Sequence, residues 1–128
     1  MWILVPGEGG IGSIFHYING RFDVHQRVYA ITQFSQNVSG KYLYFYMVKN
    51  FSRHAMKNSV KATVDSLRLP TFRNFAVAIP PIEEQTAIAT VLSDMDAELA
   101  ALEAKLTKTR QLKQGMMREL LTGRIRLV

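Results

Sequence analysis

The residues best suited to acid–base or metal chemistry are His16, His25 and His54, spread widely along the chain. None has a second imidazole or a carboxylate at a spacing that gathers metal ligands. His25 and nearby Asp23 make the one acid–base pair worth weighing. Alternation along an extended segment explains that spacing more simply, so a metal-independent enzyme using the pair ranks last among the readings. Glu8 and Asp65 are too isolated for a two-metal site. The segment Pro6–Gly12, PGEGGIG, lacks the Gly-Lys-Ser/Thr ending of a phosphate loop and precedes no helix, so it reads as a tight connection. No nucleophile elbow, kinase signature or nuclease-type carboxylate–lysine cluster is present. Cysteine is absent, which excludes disulfide frameworks and cysteine-based zinc or redox sites. The residues point to recognition, with no catalytic group and no cofactor.

Charge says what is recognised. The chain of 128 residues carries a net charge of +6, and the excess is uneven. Residues 1–80 hold nine Lys/Arg (Arg21, Arg27, Lys41, Lys49, Arg53, Lys57, Lys61, Arg68, Arg73) against Glu8, Asp23 and Asp65. Residues 81–128 hold seven of each sign and balance to zero. A globular part holding all the excess fits a polyanion, and a neutral remainder fits protein contacts.

The element that must organise the second part is a long helix. Pro80 and Pro81 suit a helix entry, Glu83 and Glu84 favour the positive end of its dipole, and no proline follows through Leu121. Apolar residues recur at steps of four and three: Ile88, Leu92, Met95, Leu99, Leu102, Leu106, then Met116 and Leu120. Thr109 and Lys113 interrupt this heptad seam. A helix from Glu83 to Leu121 is roughly 58 Å long at ~1.5 Å per residue, more than a small domain needs, and so it requires a partner. Its first half carries Glu83, Glu84, Asp94, Asp96, Glu98 and Glu103 with no base. Its second half carries Lys105, Lys108, Arg110, Lys113 and Arg118 against Glu119 alone. A parallel copy stacks like on like, whereas an antiparallel copy pairs opposite signs and sets Lys113 near the acidic stretch 94–98 of its partner. The same gradient also complements the helix's own dipole.

Upstream, Trp2–Val5, Ser13–Ile18 and Arg27–Thr32 read as strands, with Asn19-Gly20 as a hairpin turn signal. Ser39–Lys57 reads as an amphipathic helix capped by Ser39, in which packing accounts for most of Tyr42, Tyr44 and Tyr46. Ser59–Leu69 is a polar loop, and Phe75–Ile79 reads as a strand leading to the prolines. The fold class is α+β: a domain of short strands and one helix over 1–80, then a coiled-coil-forming helix over 81–128. No run is long and apolar enough for a membrane span and no signal peptide opens the chain, so a cytoplasmic protein is expected.

Two stretches resemble a known family. Ser66–Ala89, SLRLPTFRNFAVAIPPIEEQTAIA, is similar to the junction in specificity (S) subunits of type I restriction–modification enzymes, where a target-recognition domain runs into a conserved helix. Leu112–Arg124, LKQGMMRELLTGR, resembles that family's closing Lys-x-x-Leu-Leu-x-x-Leu-Leu-x-Gly run, with Met116 and Met117 at two apolar positions. Upstream, the glycine-rich segment and the strands after it resemble part of the recognition domain. The resemblance spans nearly the whole chain, and its Pro-Pro-x-Glu-Glu-Gln junction is its most specific part. A full specificity subunit carries two recognition domains and two such helices. The resemblance therefore implies a fragment, with the later portion of one domain and one helix.

It implies a DNA-recognition subunit that docks methyltransferase subunits and carries out no chemistry. It further implies that double-stranded DNA is approached by Arg21, His25, Gln26 and Arg27, then by Lys57, Lys61, Thr63 and Arg68, with arginine and glutamine suited to base edges and lysine and threonine to phosphates. The helix residues Ile88, Leu92, Met95, Leu99, Leu102, Leu106, Lys113, Met116 and Leu120 would serve dimerisation and docking, with a homodimer of antiparallel helices as the expected assembly. The alternative is a truncated interaction protein that dimerises without DNA affinity.

Overall fold

Strand β1 (Trp2–Pro6) is the centre of a three-stranded antiparallel sheet, between β2 (His16–Ile18) and β3 (Val28–Ile31). The computed structural model describes residues 1–7, 14–58 and 67–128. Successive side chains of β1 alternate between faces. Ile3 and Val5 are fully buried on one face, and the register places Tyr17 and Ile31 across from Ile3 and Tyr29 across from Val5. Helix α1 (Gly40–Asn58) covers this face with Met47, Phe51 and Ala55, spaced by four and all buried. Phe51 is the hub, stacked on Phe72 at 5.0 Å and edge-on to Phe15 at 5.9 Å and Phe75 at 5.1 Å. Ser39 caps α1 as expected, its Oγ accepting from Tyr42 N at 3.3 Å.

The sheet order corrects the hairpin expected at Asn19-Gly20. Gly20 does turn the chain, at φ +112°, but β2 and β3 are not neighbours; both pair with β1. The chain leaves β2 and crosses to the far edge of β1, where Ile3, Leu4, Val5 and Pro6 offer a four-residue ladder. Pro6 is tolerated in the central strand because of its position. Gly7 N donates to Arg27 O of the β3 side at 2.9 Å, so by alternation the N–H that Pro6 lacks would face the β2 side, beyond the last paired residue, Leu4.

The strand expected at Phe75–Ile79 does not form. This segment runs along α1 instead of beside a strand, and side chains of α1 hold it. Phe75 meets Phe51 and His54, Tyr46 lies 6.0 Å from Phe75, and Tyr42 Oη donates to Ala78 O at 2.8 Å. The short helix α2 (Leu69–Arg73) precedes it, tied to α1 by the 2.9 Å bond between His54 Nε2 and Thr71 O. Helix α3 (Ile82–Leu121) has 40 residues, with Glu83 and Glu84 in its first turn and Arg118 in its last. Gly123, at φ +73°, supplies the left-handed residue just past its end.

The chain divides into two compact units, Met1–Thr90 and Val91–Val128. The first turns of α3 belong to the first unit. Among the described residues, no helix is long and apolar enough to cross a membrane.

Candidate nucleic-acid interface

Gly7 joins two of the expected DNA-facing segments. Its N–H donates to Arg27 O and its carbonyl accepts from Leu67 N, both at 2.9 Å. Tyr29 reinforces the junction by donating from Oη to Leu67 O at 3.0 Å, with its ring 4.6 Å from Phe72. Arg27 and Arg68 are thereby carried on two backbone segments that meet at one glycine. A Cβ on Gly7 would lie 2.8 Å from Arg27 O and 3.3 Å from the Tyr29 ring, so no larger residue fits without displacing backbone. Gly7→Ala is expected to destabilise the fold by about 1–3 kcal/mol through overpacking, read as a lowered thermal midpoint; an unchanged midpoint would show that the junction yields freely.

Helix α1 runs the way β1 does. At its start, Gly40 lies so close to Met1 and Phe34 that an added Cβ would overlap Met1 Sδ and the Phe34 ring. Toward its end, Phe51 and Ala55 share the buried cluster with Leu67, next to Gly7. Lys57, in the last turn of α1, therefore belongs to the same end of the domain as Arg27 and Arg68. Arg21 does not. Its neighbour Phe22 packs edge-on to Trp2 at 5.2 Å, at the start of β1 and on the face opposite α1, so residues 21–27 run about the length of the strand, roughly 13 Å. His25 and Gln26 lie between, lining with Asp23 and Val24 an open cleft of about 440 Å³. Lys61 and Thr63 lie outside the described residues.

His25 and Asp23 do not bond to each other. Asp23 Oδ1 accepts from Val24 N at 2.9 Å, and His25 Nδ1 accepts from Arg27 N at 3.4 Å, which shapes the loop rather than priming a proton transfer. Among the described residues, no group of His, Asp and Glu could hold a metal ion.

The second candidate surface is the seam of α3. Met95, Leu99, Leu102, Leu106 and Met116 are each between 41% and 57% exposed, whereas Ile88, Leu92 and Leu120 are partly buried. Of the two polar breaks, Thr109 satisfies its hydroxyl on Lys105 O of its own helix at 2.9 Å and needs no partner across the seam. Lys113 is exposed.

Residues 1–114 match the family described as the type I restriction modification DNA specificity domain. The chain belongs to this family. It is similar to the MjaVIII type I restriction enzyme specificity subunit of Methanocaldococcus jannaschii, with 30% identity over 81 residues, 62% of this chain and 19% of that protein. It is also similar to the EcoDI type I restriction enzyme specificity subunit of Escherichia coli, with 28% identity over 120 residues, 94% of this chain and 26% of that protein. The chain thus spans less than a third of the length of these relatives. No solved structure matches it.

In this specificity-domain chain, the last residue of the Pro-Pro-x-Glu-Glu-Gln junction, Gln85, carries a role that the sequence did not assign to it. It is fully buried at the start of α3. Its Oε1 accepts from Ser39 N at 2.9 Å, and its Nε2 donates to Asn37 O at 2.8 Å and Pro80 O at 2.7 Å. One amide thus ties the first turn of α3 to the N-cap of α1 and to the proline turn. Tyr42, one turn into α1, adds the bond to Ala78 O; burial pushes its phenol above the usual range, helped by Tyr46 and Glu84, so it remains a neutral donor. The available signal was its place in that motif; in the fold Gln85 and Ala89, one turn apart, share a face of α3 and are both buried.

Proposed function

We propose that this chain is a DNA-recognition and scaffold portion of a type I restriction–modification system. In this reading it carries no catalytic group and docks methyltransferase subunits, while double-stranded DNA lies against the Gly7 end of the domain. The observation that carries the reading is the junction at Gly7, which unites Arg27 and Arg68 at the end of the domain where α1 brings Lys57. The acidic first turn of α3 lies instead beside the start of α1, through Gln85. The names of the similar proteins support the same assignment.

The reading predicts weak duplex binding that falls steeply as salt rises, because released counterions come from contacts made by the basic domain. Arg27→Ala and Arg68→Ala are each expected to weaken binding, measured by fluorescence anisotropy at two salt concentrations. A residue that reads a base should also relax sequence preference, by ~1–3 kcal/mol per lost bidentate contact. Absence of binding at low salt would leave a second reading, an interaction protein that dimerises without touching DNA; the exposed seam of α3 favours that alternative.

A further inference from the structure

Helix α1 contains no aspartate or glutamate over Gly40–Asn58, yet three of its basic residues, Lys49, Arg53 and Lys57, fall at steps of four. All three are exposed. Each lies two positions from a core residue, Met47, Phe51 or Ala55, which is roughly 200° around the helix at ~100° per residue. The row therefore faces directly away from the sheet. Residues four apart on a helix are neighbours, so the three like charges repel one another, and among the described residues none has an ion-pair partner. Lys41, earlier on the same helix, is by contrast placed 5.0 Å over the Tyr17 ring. A row of positive charge with no ion-pair partner among the described residues, and no acid anywhere on its helix, is complementary to an extended polyanion.

We propose that the outer face of α1 is a phosphate-tracking surface, with Lys49 and Arg53 extending the contact that begins at Lys57 along the backbone of bound duplex DNA. This rests on the DNA-recognition reading above and adds to it residues that the sequence did not single out. The row spans about 12 Å at ~1.5 Å per residue, the axial rise of three to four phosphates at ~3.4 Å per strand. It continues to the end of the domain where Arg27 and Arg68 meet at Gly7. Contacts to phosphate position the duplex and carry no base information, so this row strengthens binding without selecting sequence.

The test is the salt dependence of duplex binding by the full chain. Lys49→Gln/Arg53→Gln is expected to lower the slope of log K against log salt by about 1.8, at ~0.9 per lost phosphate contact, and by the same amount on two unrelated duplexes. Its thermal midpoint should be equal or higher, because like charges have been removed from one face. The charge-keeping Lys49→Arg/Arg53→Lys should retain the parental slope. If the glutamine variant keeps the parental slope, as it would if the row faced an acidic protein instead, the proposal falls while the DNA reading stands. Loss of slope in both variants would mark a structural effect and also overturn it. If the unaltered chain fails to bind DNA at low salt, the DNA reading itself fails and takes this surface with it.

Discussion

Gln85→Ala is expected to cost about 2–4 kcal/mol of stability, because it removes a fully buried amide together with its three hydrogen bonds. Ser39 N–H loses its acceptor, and Asn37 C=O and Pro80 C=O lose the amide that served them both. For a domain of this size each kcal/mol moves the thermal midpoint by roughly 4–8 °C, so a fall of at least about 8 °C should be seen by circular dichroism. Hydrogen exchange should speed up first at Ser39 and Tyr42, where the cap of α1 is fastened. Gln85→Glu separates the contributions. It keeps an acceptor for Ser39 N–H but sets a buried carboxylate against two carbonyl oxygens, and it should be no better than alanine. A midpoint within about 2 °C of the parent for both variants would show that the junction is held by apolar contact alone.

The second large effect concerns assembly. The unaltered chain is expected to be a homodimer, and Leu99→Lys is expected to drive it to monomer or to aggregation. Leu99 is 57% exposed in the single chain, and Leu102 and Leu106 are similarly uncovered. Burying such a leucine is worth roughly 1.5–3 kcal/mol, and a two-fold dimer counts it twice. If the helices are antiparallel with residue 94 beside residue 118, position 99 faces Lys113 of the partner. The substitution then sets lysine against lysine as well as removing the leucine. Sedimentation of the unaltered chain as a monomer at high concentration would defeat the expectation. Spin labels at positions 94 and 118 decide the direction: close intermolecular 94–118 pairs mean antiparallel helices, and close 94–94 pairs mean parallel ones.

The long helix was legible in the sequence because its signals are local. Paired prolines, two acids, a heptad and a closing glycine each act within a turn or two, and α3 begins and ends within a residue or so of where they place it. Ser39 as the cap of α1 was readable for the same reason. What failed were the non-local pairings. Asn19-Gly20 carries a genuine turn signal, but nothing nearby says that β3 pairs with Trp2–Pro6 rather than with β2. Phe75–Ile79 has strand composition, and whether such a segment joins a ladder depends on a free sheet edge being within reach. Here α1 is nearer, and Tyr42 and Phe51 take the segment. Of the candidate interface, Arg27 and Arg68 could be named individually from the sequence, but their meeting at Gly7 rests on bonds across sixty residues. Lys49 and Arg53 were visible as charge, and only the burial of Met47, Phe51 and Ala55 shows that they share the outward face.

The place of β1 in the sheet also bears on how the chain is made. A ribosome releases this central strand before β2, β3 and α1, which cover it. Ile3 and Val5 wait for Tyr17, then Ile31, then Met47 and Phe51, and the last fastening across the cap of α1 arrives only with Gln85. At ~5–20 residues per second, close to eighty residues separate the exit of the strand from the exit of its latch, an interval of about 4–16 s. Until α1 has emerged, Ile3 and Val5 lack the cover that Met47 and Phe51 supply, so early formation of α1 shortens the exposure of the strand well before the latch arrives.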